Sequence, residues 1–225
     1  MRPFPVGVWG GVALCGLLLQ GSCVRFNTYY NARRAYRDAE QLAEARVSGS
    51  TPGTQELAHL DRCLEKCALI IARHPESGLA DDALFLMAMA LTLKGQHGAA
   101  ADKFAELRRF FPESDLDSPS RFHEAESRSQ IGQYDAAEAL ISEHLARGDG
   151  WDQWQERGAL LYAEVAGRLH VPLVALARID TLLSRTDRKT VTCPAYLLRA
   201  RSLAELGRDE EAVRWFREAD RTAPS

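Results

Sequence analysis

The sequence predicts an all-α fold: an α-solenoid of about five stacked helix pairs, ten helices in all, after an N-terminal signal segment. Two observations support this prediction. Candidate unit ends recur 37 or 38 residues apart, at Pro75, Pro112, Asp149, Asp187 and Pro224. Alternating β-branched residues are almost absent, whereas Ala, Leu, Glu and Arg dominate. A fixed period of about 20–50 residues is typical of stacked units that bury their apolar faces against one another.

The overall composition excludes some classes of protein. The chain has 225 residues, of which 46% are hydrophobic, and this is enough for a substantial core. Its formal net charge is -3 and no basic tract is present. The charge pattern therefore gives no indication of a nucleic-acid partner, and we expect none.

Residues 1–22 are predicted to be a signal peptide. Arg2 supplies a positive charge, and the apolar run 6–19 follows it. A run of this length suits the hydrophobic region of a secretory signal, whereas a membrane-spanning helix needs about 20 residues. A second interpretation stays open, in which the segment is not cleaved and serves as an N-terminal membrane anchor.

The residues after this run resemble the lipobox of bacterial lipoproteins. Gly21 and Ser22 precede Cys23, although Gln20 stands where that pattern normally has Leu or another aliphatic residue. The resemblance implies that Cys23 is lipidated and becomes the mature N-terminus. Cys15 is a weaker candidate because a bulky residue precedes it.

The residue after the cysteine bears on location. Val24 replaces the aspartate that resembles an inner-membrane retention signal. We therefore expect a protein of the cell envelope that is lipid-anchored at the outer membrane. The rest of the chain, 23–225, is expected to form the α-solenoid on the periplasmic face.

The first helix pair is predicted over about 26–75. In 26–46, aromatic and alanine residues recur in three- and four-residue steps, as on one face of a helix. The segment 48–53 reads Ser-Gly-Ser-Thr-Pro-Gly and breaks the pattern. Thr54 is expected to cap a second helix that extends to about Arg73.

Four further units are predicted at 81–114, 118–151, 156–189 and 193–225. Asp81 and Asp82 lie in the first turn of the first of these, where the helix dipole favours carboxylates, and Ser77 is its candidate cap. Ser118 followed by Pro119 is a cap with proline at the first helical position. Pro194 is expected to begin the last unit. The internal turns are expected at Gly95, Gly132, 169–172 and Gly207.

These units resemble the tetratricopeptide repeat, which has bulky residues at places 4 and 11, small residues at 8 and 20, and an aromatic residue at 24. The first and last units match at Leu84, Ala88, Leu91, Gly95, Ala100, Phe104, Pro112, and at Tyr196, Ala200, Leu203, Gly207, Ala212, Phe216, Pro224. The middle units match in part, at Ala125, Gly132, Tyr134, Ala137, Ile141, and at Ala163, Ala175, Ile179. The resemblance implies core packing for these residues.

The middle units also depart from the pattern. Arg121 and Arg128 occupy the two bulky places of the second unit, and His170 and Pro172 replace the usual turn of the third.

A narrower resemblance covers most of residues 23–150. Its residues are His74, Pro75, Glu76, Ser77, Ala80, Ala83, Gly95, Ala100, Phe104, Phe111, Pro112, Glu113 and Ser114. These are similar to outer-membrane assembly lipoproteins of the BamD type, which carry an N-terminal lipid and five such helix pairs. The resemblance implies a protein-binding adaptor in outer-membrane protein assembly. The alternative is a periplasmic scaffold that coordinates cell-envelope or peptidoglycan enzymes.

No catalytic or metal-binding motif is found in the sequence. His123 beside Glu124 is interpreted as a solvated or capping feature. Cys63 and Cys67 lie four residues apart on one helix face and are expected to be core residues without a metal or a disulfide. We therefore expect no enzyme, no metal and no cofactor. A catalytic protein with an unfamiliar site is the remaining alternative.

The candidate partner-binding residues follow from the repeat type, in which the first helix of each pair lines the concave face. They are Phe85, Met89, Phe122, Glu126, Leu160, Glu164, Leu197 and Arg201, with Trp215 added on the last helix. Apolar residues with one or two charges per repeat suit a bound peptide, extended or helical, so we expect protein or peptide partners. The alternative for Phe85 and Phe122 is packing against a neighbouring helix.

Overall fold

A computed structural model describes residues 9–47, 49–147 and 151–223, with side chains from Phe26 onward. Within these ranges the regular structure consists of ten α-helices and no strand, as predicted. The helices are α1 (Trp9–Glu44), α2 (Thr54–Arg73), α3 (Ala80–Leu93), α4 (His97–Phe110), α5 (Asp117–Gln130), α6 (Tyr134–Ala146), α7 (Gln153–Arg168), α8 (Pro172–Leu183), α9 (Lys189–Glu205) and α10 (Asp209–Thr222). None of the helices in the described ranges has both the length and the apolarity needed to cross a bilayer.

The chain divides into two compact units, 1–96 and 97–225. In the first unit, α1 packs on α2 and α3, and α2 packs on α3. The α1 face in this core is built from Ala32, Ala35 and Ala39, all at most 3% exposed. Small side chains allow two helix backbones to approach closely. The alanine steps that predicted the helix thus also explain why it pairs with α2.

The central part of α2 confirms the interpretation of the cysteine pair. Cys63 and Cys67 are completely buried, and both are free thiols. A hydrogen bond with Cys63 raises the pKa of the Cys67 thiol, and burial raises it further. The pair therefore acts as two small core residues.

In the second unit, consecutive helices pack on one another from α4 to α10. The first helices of successive pairs also meet, since α5 contacts α7 and α7 contacts α9. Two clusters form the core of this unit, one around Phe122, Ile141 and Val165 and one around Ile179 and Leu182. This packing is the expected stacking of helix pairs.

The predicted turns are confirmed by their backbone. Gly95, Gly132 and Gly207 have φ values of 74°, 77° and 71°, a left-handed conformation that glycine adopts without a steric penalty. In the third predicted unit His170 takes this position with a φ of 56°. The histidine therefore replaces the glycine in conformation as well as in sequence position.

The starts of several helices differ from the prediction. Thr54 is the first residue of α2 and not its cap, which is Gly53; its backbone N–H donates to Oε2 of Glu56 at 3.4 Å. Similarly, α3 begins three residues after Ser77, and α5 begins at Asp117. The cap prediction used side-chain type alone, whereas a glycine in extended conformation can also occupy the N-cap position of a helix.

The largest difference is in α9, which starts at Lys189 and contains Pro194 inside the helix. Proline lacks one backbone donor there. The preceding turn nevertheless stays helical because Val191 and Thr192 are each only 6% exposed, and their burial offsets the lost hydrogen bond.

Most residues of the repeat pattern lie in the core, as predicted. The buried ones are Leu84, Ala88, Leu91, Ala100, Phe104, Ala125, Ala137, Ile141, Ala163, Ala175, Ile179, Ala200, Leu203 and Ala212. The prediction is wrong for Phe216, which is 41% exposed, and for four further exposed residues, Gly95, Pro112, Gly132 and Gly207. Pro224 lies outside the described residues. Phe216 differs from the others because it is a large apolar side chain. It lies on α10, which packs on α9, and the described helices leave this outer side of α10 open.

Candidate functional site

In the first unit, a groove of about 430 Å³ lies between α1 and α3, the first helices of two successive pairs. Its lining residues are Tyr29, Arg33, Tyr36, Arg37, Glu40, Asp82, Phe85 and Leu86. Phe85, one of the predicted partner-binding residues, is half-buried here. Met89, one turn further along α3, is half-buried but does not line the groove.

The groove combines an apolar wall with charged and phenolic groups. Tyr29 donates a hydrogen bond to Asp82, and the guanidinium of Arg33 lies 5.9 Å from the centre of the Tyr29 ring. Burial raises the pKa of Asp82, and the charge of Asp81 raises it further. Burial also raises the pKa of Tyr29, so that its hydroxyl stays a hydrogen-bond donor at neutral pH.

These groups can make both apolar and polar contacts with a polypeptide segment. Phe85 and Leu86 can accept an apolar side chain, while Arg33 and Arg37 can donate hydrogen bonds to carboxylates or carbonyl oxygens.

In the second unit, a smaller cleft of about 100 Å³ lies between α5 and α7. Its lining residues are Glu126, Ser129, Gln130, Tyr134, Leu161, Glu164 and Arg168. The structure thus brings together Glu126 and Glu164, two of the predicted partner-binding residues. The two carboxylates make this cleft suitable for cationic or hydrogen-bond-donating groups.

The other predicted residues on α5 and α7 are less accessible. Phe122 is only 4% exposed and its ring centre lies 5.8 Å from that of Trp154, which corresponds to the packing alternative. Leu160 is half-buried against a core cluster. Arg157, which the sequence did not single out, covers Phe122 with its guanidinium 4.3 Å from the ring centre.

His123 corrects the sequence interpretation. It is 6% exposed rather than solvated, and its ring stacks on Phe104 at 5.5 Å. Its Nδ1 lies 3.1 Å from Oε2 of Glu126. The histidine therefore links the aromatic core to a carboxylate that lines the α5–α7 cleft.

The two arginines at the bulky repeat places are explained by ion pairs. Arg128 donates from Nε to Glu124 at 2.9 Å, and Arg121 donates from Nε to Asp117 at 2.9 Å. Glu124 is 2% exposed and also accepts from Arg108 of α4. Ion pairs within α5, together with the Arg108–Glu124 contact between α4 and α5, here take the place that bulky apolar residues have in the better-matched units.

Near the end of the chain, Trp215 lines a cleft of about 350 Å³ between α8, α9 and α10. Its ring lies 5.1 Å from that of Tyr196, and the guanidinium of Arg199 covers it at 4.3 Å. Leu173, at the edge of the cleft, is 67% exposed. Trp215 is therefore part of a cleft of mixed character, in which apolar side chains lie beside the charged Asp180, Arg199, Arg208 and Glu211.

The remaining predicted site residues are placed as follows. Leu197 is 37% exposed, and Arg201 is exposed; neither lines the cleft of Trp215. The side chain of Cys23 lies outside the described residues. Within the described part of the chain, no group of three or more metal-ligand side chains comes together.

No family model matches the chain, and no curated protein matches it in sequence. Several solved structures are similar in fold. A putative kinesin light chain from Podosopora anserina with TPR-like repeats has a TM-score of 0.67 and 13% identity, with 84% of this chain and 93% of that chain covered. BtubC from P. vanneervenii has a TM-score of 0.62 and 14% identity, with 88% and 90% covered.

A third similar structure is that of MamA, with a TM-score of 0.60, 12% identity, and 84% of this chain and 91% of that chain covered. At such identities the likeness concerns the fold alone. The helix order, the stacking of first helices and these structural neighbours agree, and the fold is an all-α tetratricopeptide-repeat α-solenoid.

Proposed function

We propose that this protein is a non-enzymatic, lipid-anchored periplasmic adaptor that binds protein segments in the clefts between the first helices of its repeats. The groove between α1 and α3 carries the proposal, because it is open, has an apolar wall and has two guanidinium groups at its edge. The fold supports a protein-binding role. The lipobox-like Cys23 supports the anchor, and the similarity to BamD-type proteins supports a place in outer-membrane protein assembly.

The groove favours a segment with an apolar side chain flanked by acidic or carbonyl groups. Phe85 would contact the apolar side chain, and Arg33 would donate to the oxygen atoms. Each such contact is small, so affinity depends on several of them together along an extended segment.

A photocrosslinking residue at position 85, introduced in cells, tests the groove. The matched control is position 110, because Phe110 is an aromatic residue in the other unit that is 61% exposed. Adducts with barrel-assembly components that form at 85 and not at 110 support the proposal. Adducts with murein enzymes favour the scaffold alternative, and equal labelling at both positions contradicts a specific groove.

The anchor has its own test. Cys23→Ser should release the protein from the membrane fraction, whereas the control Cys15→Ser should leave fractionation unchanged. If Cys23→Ser stays in membranes, the anchor is the apolar segment 6–19 and not a lipid.

A further inference from the structure

The exposed side of α1 carries a stripe of aromatic and basic residues outside the helix packing. Phe26, Tyr30 and Arg34 follow four-residue steps and so lie along one face of the helix, and Arg37, which also lines the edge of the α1–α3 groove, lies beside them. Phe26 is 64% exposed and Tyr30 58% exposed, and both arginines are exposed. Among the described residues, neither Arg34 nor Arg37 has an ion-pair partner. We call these four residues the α1 stripe.

We propose that the α1 stripe lies against the surface of an anionic lipid bilayer beside the N-terminal anchor. This inference rests on the proposed anchoring of the chain through its N-terminal segment. It adds a second contact with the membrane, made by the folded repeat itself.

The position of the stripe supports this occupant. The helix α1 is continuous from Trp9 to Glu44, so no flexible linker separates position 23 from the stripe. At a rise of about 1.5 Å per residue, Phe26 lies about 4.5 Å and Tyr30 about 10 Å along the helix axis from position 23. These distances are comparable with the thickness of the polar layer of a bilayer, about 5–8 Å on each side of the hydrocarbon core.

The chemistry of the stripe follows the layers of a membrane in order. Aromatic side chains with a polar edge are enriched at the boundary between hydrocarbon and headgroups. Arginines further along can bind lipid phosphates, and their long apolar stems allow the guanidinium to reach the headgroup layer. From the anchor outward, the stripe has the two aromatic rings first and the two arginines next.

Charge complementarity favours a lipid surface over a second copy of the chain. In a symmetric dimer formed through this face, the same patch would meet itself. Arg34 and Arg37 of one copy would then lie near those of the other, and like charges across an interface are unfavourable. An anionic surface provides the opposite charge for both residues.

The test uses the full chain in phosphatidylcholine vesicles that contain phosphatidylglycerol, with benzoylphenylalanine at position 30. We expect a photo-adduct between the protein and lipid, detected by mass. In the same vesicles, Arg34→Glu should lower the ratio of lipid-bound to free stripe about 25-fold. Loss of the cation lowers this ratio about fivefold, and repulsion of the new carboxylate lowers it about fivefold again. Arg214→Glu is the control because Arg214 is an exposed arginine on α10.

Several results would overturn the inference. These are a lipid adduct that is insensitive to Arg34→Glu, one that is equally strong in pure phosphatidylcholine, or an adduct with a second protein chain. Benzoylphenylalanine at position 216, another exposed aromatic position, should give no lipid adduct. Failure of the anchor is read separately, as loss of vesicle flotation in Cys23→Ser. Arg34 does not line the α1–α3 groove. Failure of the stripe in Arg34→Glu is therefore distinct from failure of the proposed adaptor function.

Discussion

The guanidinium of Arg108 donates two hydrogen bonds to Oε2 of Glu124, at 3.0 Å from Nε and 2.6 Å from Nη2. Arg128 donates to the other oxygen of the same carboxylate at 2.9 Å. One buried carboxylate thus joins α4 to α5 and balances the positive charges of two arginines. Because a buried ion pair is costly once one partner is lost, this contact has a measurable consequence.

Replacing Glu124 by Gln should destabilise the protein by about 3 kcal/mol, the lower end of the range for buried pairs that lose one partner. The lower end applies because the side chains of Arg108 and Arg128 remain 18% and 23% exposed. Urea unfolding measures the change. Glu113→Gln, at an exposed position, removes the same charge and should have little effect; equal losses in both variants would contradict the role of Glu124.

Replacing Gly158 by Ala should destabilise the contact between α6 and α7. A Cβ at this position would lie 2.8 Å from Cδ2 of His144, whose Nε2–H donates to the carbonyl of Trp154 at 3.1 Å. We expect a loss of about 1–3 kcal/mol from overpacking, measured by thermal unfolding.

The control for this change is another helical glycine. At Gly98 the nearest atom to an added Cβ is 4.0 Å away, so Gly98→Ala should leave stability unchanged or raise it by up to about 1 kcal/mol. If both variants lose stability equally, steric contact with His144 is not the cause.

Replacing Ala100 or Ala212 by Leu should overpack the repeat core. These residues are 0% and 2% exposed, and the added methyl groups should cost about 1–3 kcal/mol. Ala99 is exposed on the same helix as Ala100, so Ala99→Leu is the matched control. A melting temperature that does not change in Ala100→Leu would contradict the assignment of this position to the core.

Replacing Asp82 by Asn should stabilise the protein at neutral pH. Burial raises the pKa of Asp82 in the folded state, so its contribution to stability is complete below the usual Asp pKa of about 3.9 and is lost as pH rises through the folded-state value. Asn cannot ionise and avoids this loss.

The measurement is the free energy of unfolding as a function of pH. The difference between Asp82→Asn and the unchanged protein should be largest near pH 7 and should vanish below about pH 4. Asp102 is exposed, and Asp102→Asn should show no such dependence. A difference that is constant over the whole range would mean that ionisation of Asp82 is not its source.

The sequence was sufficient for features that depend on neighbouring residues. Alanine steps predicted the buried face of α1, and glycines predicted the turns after α3, α5 and α9. Such signals are local, because helix periodicity and left-handed backbone conformations are decided within a few residues. For this reason the number and order of helices could be predicted well.

Features that depend on other helices could not be predicted in this way. The burial of His123 requires Phe104 from α4, and the charge balance of Glu124 requires Arg108 from the same helix. Phe122 was placed on the concave face by register, but Trp154 and Arg157 of α7 cover it. A repeat pattern gives the direction of a side chain and not the size of the residues that meet it.

In the second unit, packing joins helices that are consecutive in the chain or next but one. The loop closures that bring such neighbours together are short, so folding should be fast and able to begin at more than one place. Among the described helices, α10 packs mainly on α9, so it should open more readily than helices that pack on two or more neighbours. Amide hydrogen exchange is therefore expected to be fastest in α10 and to slow progressively toward α7, so that Trp215 would report the first step of unfolding.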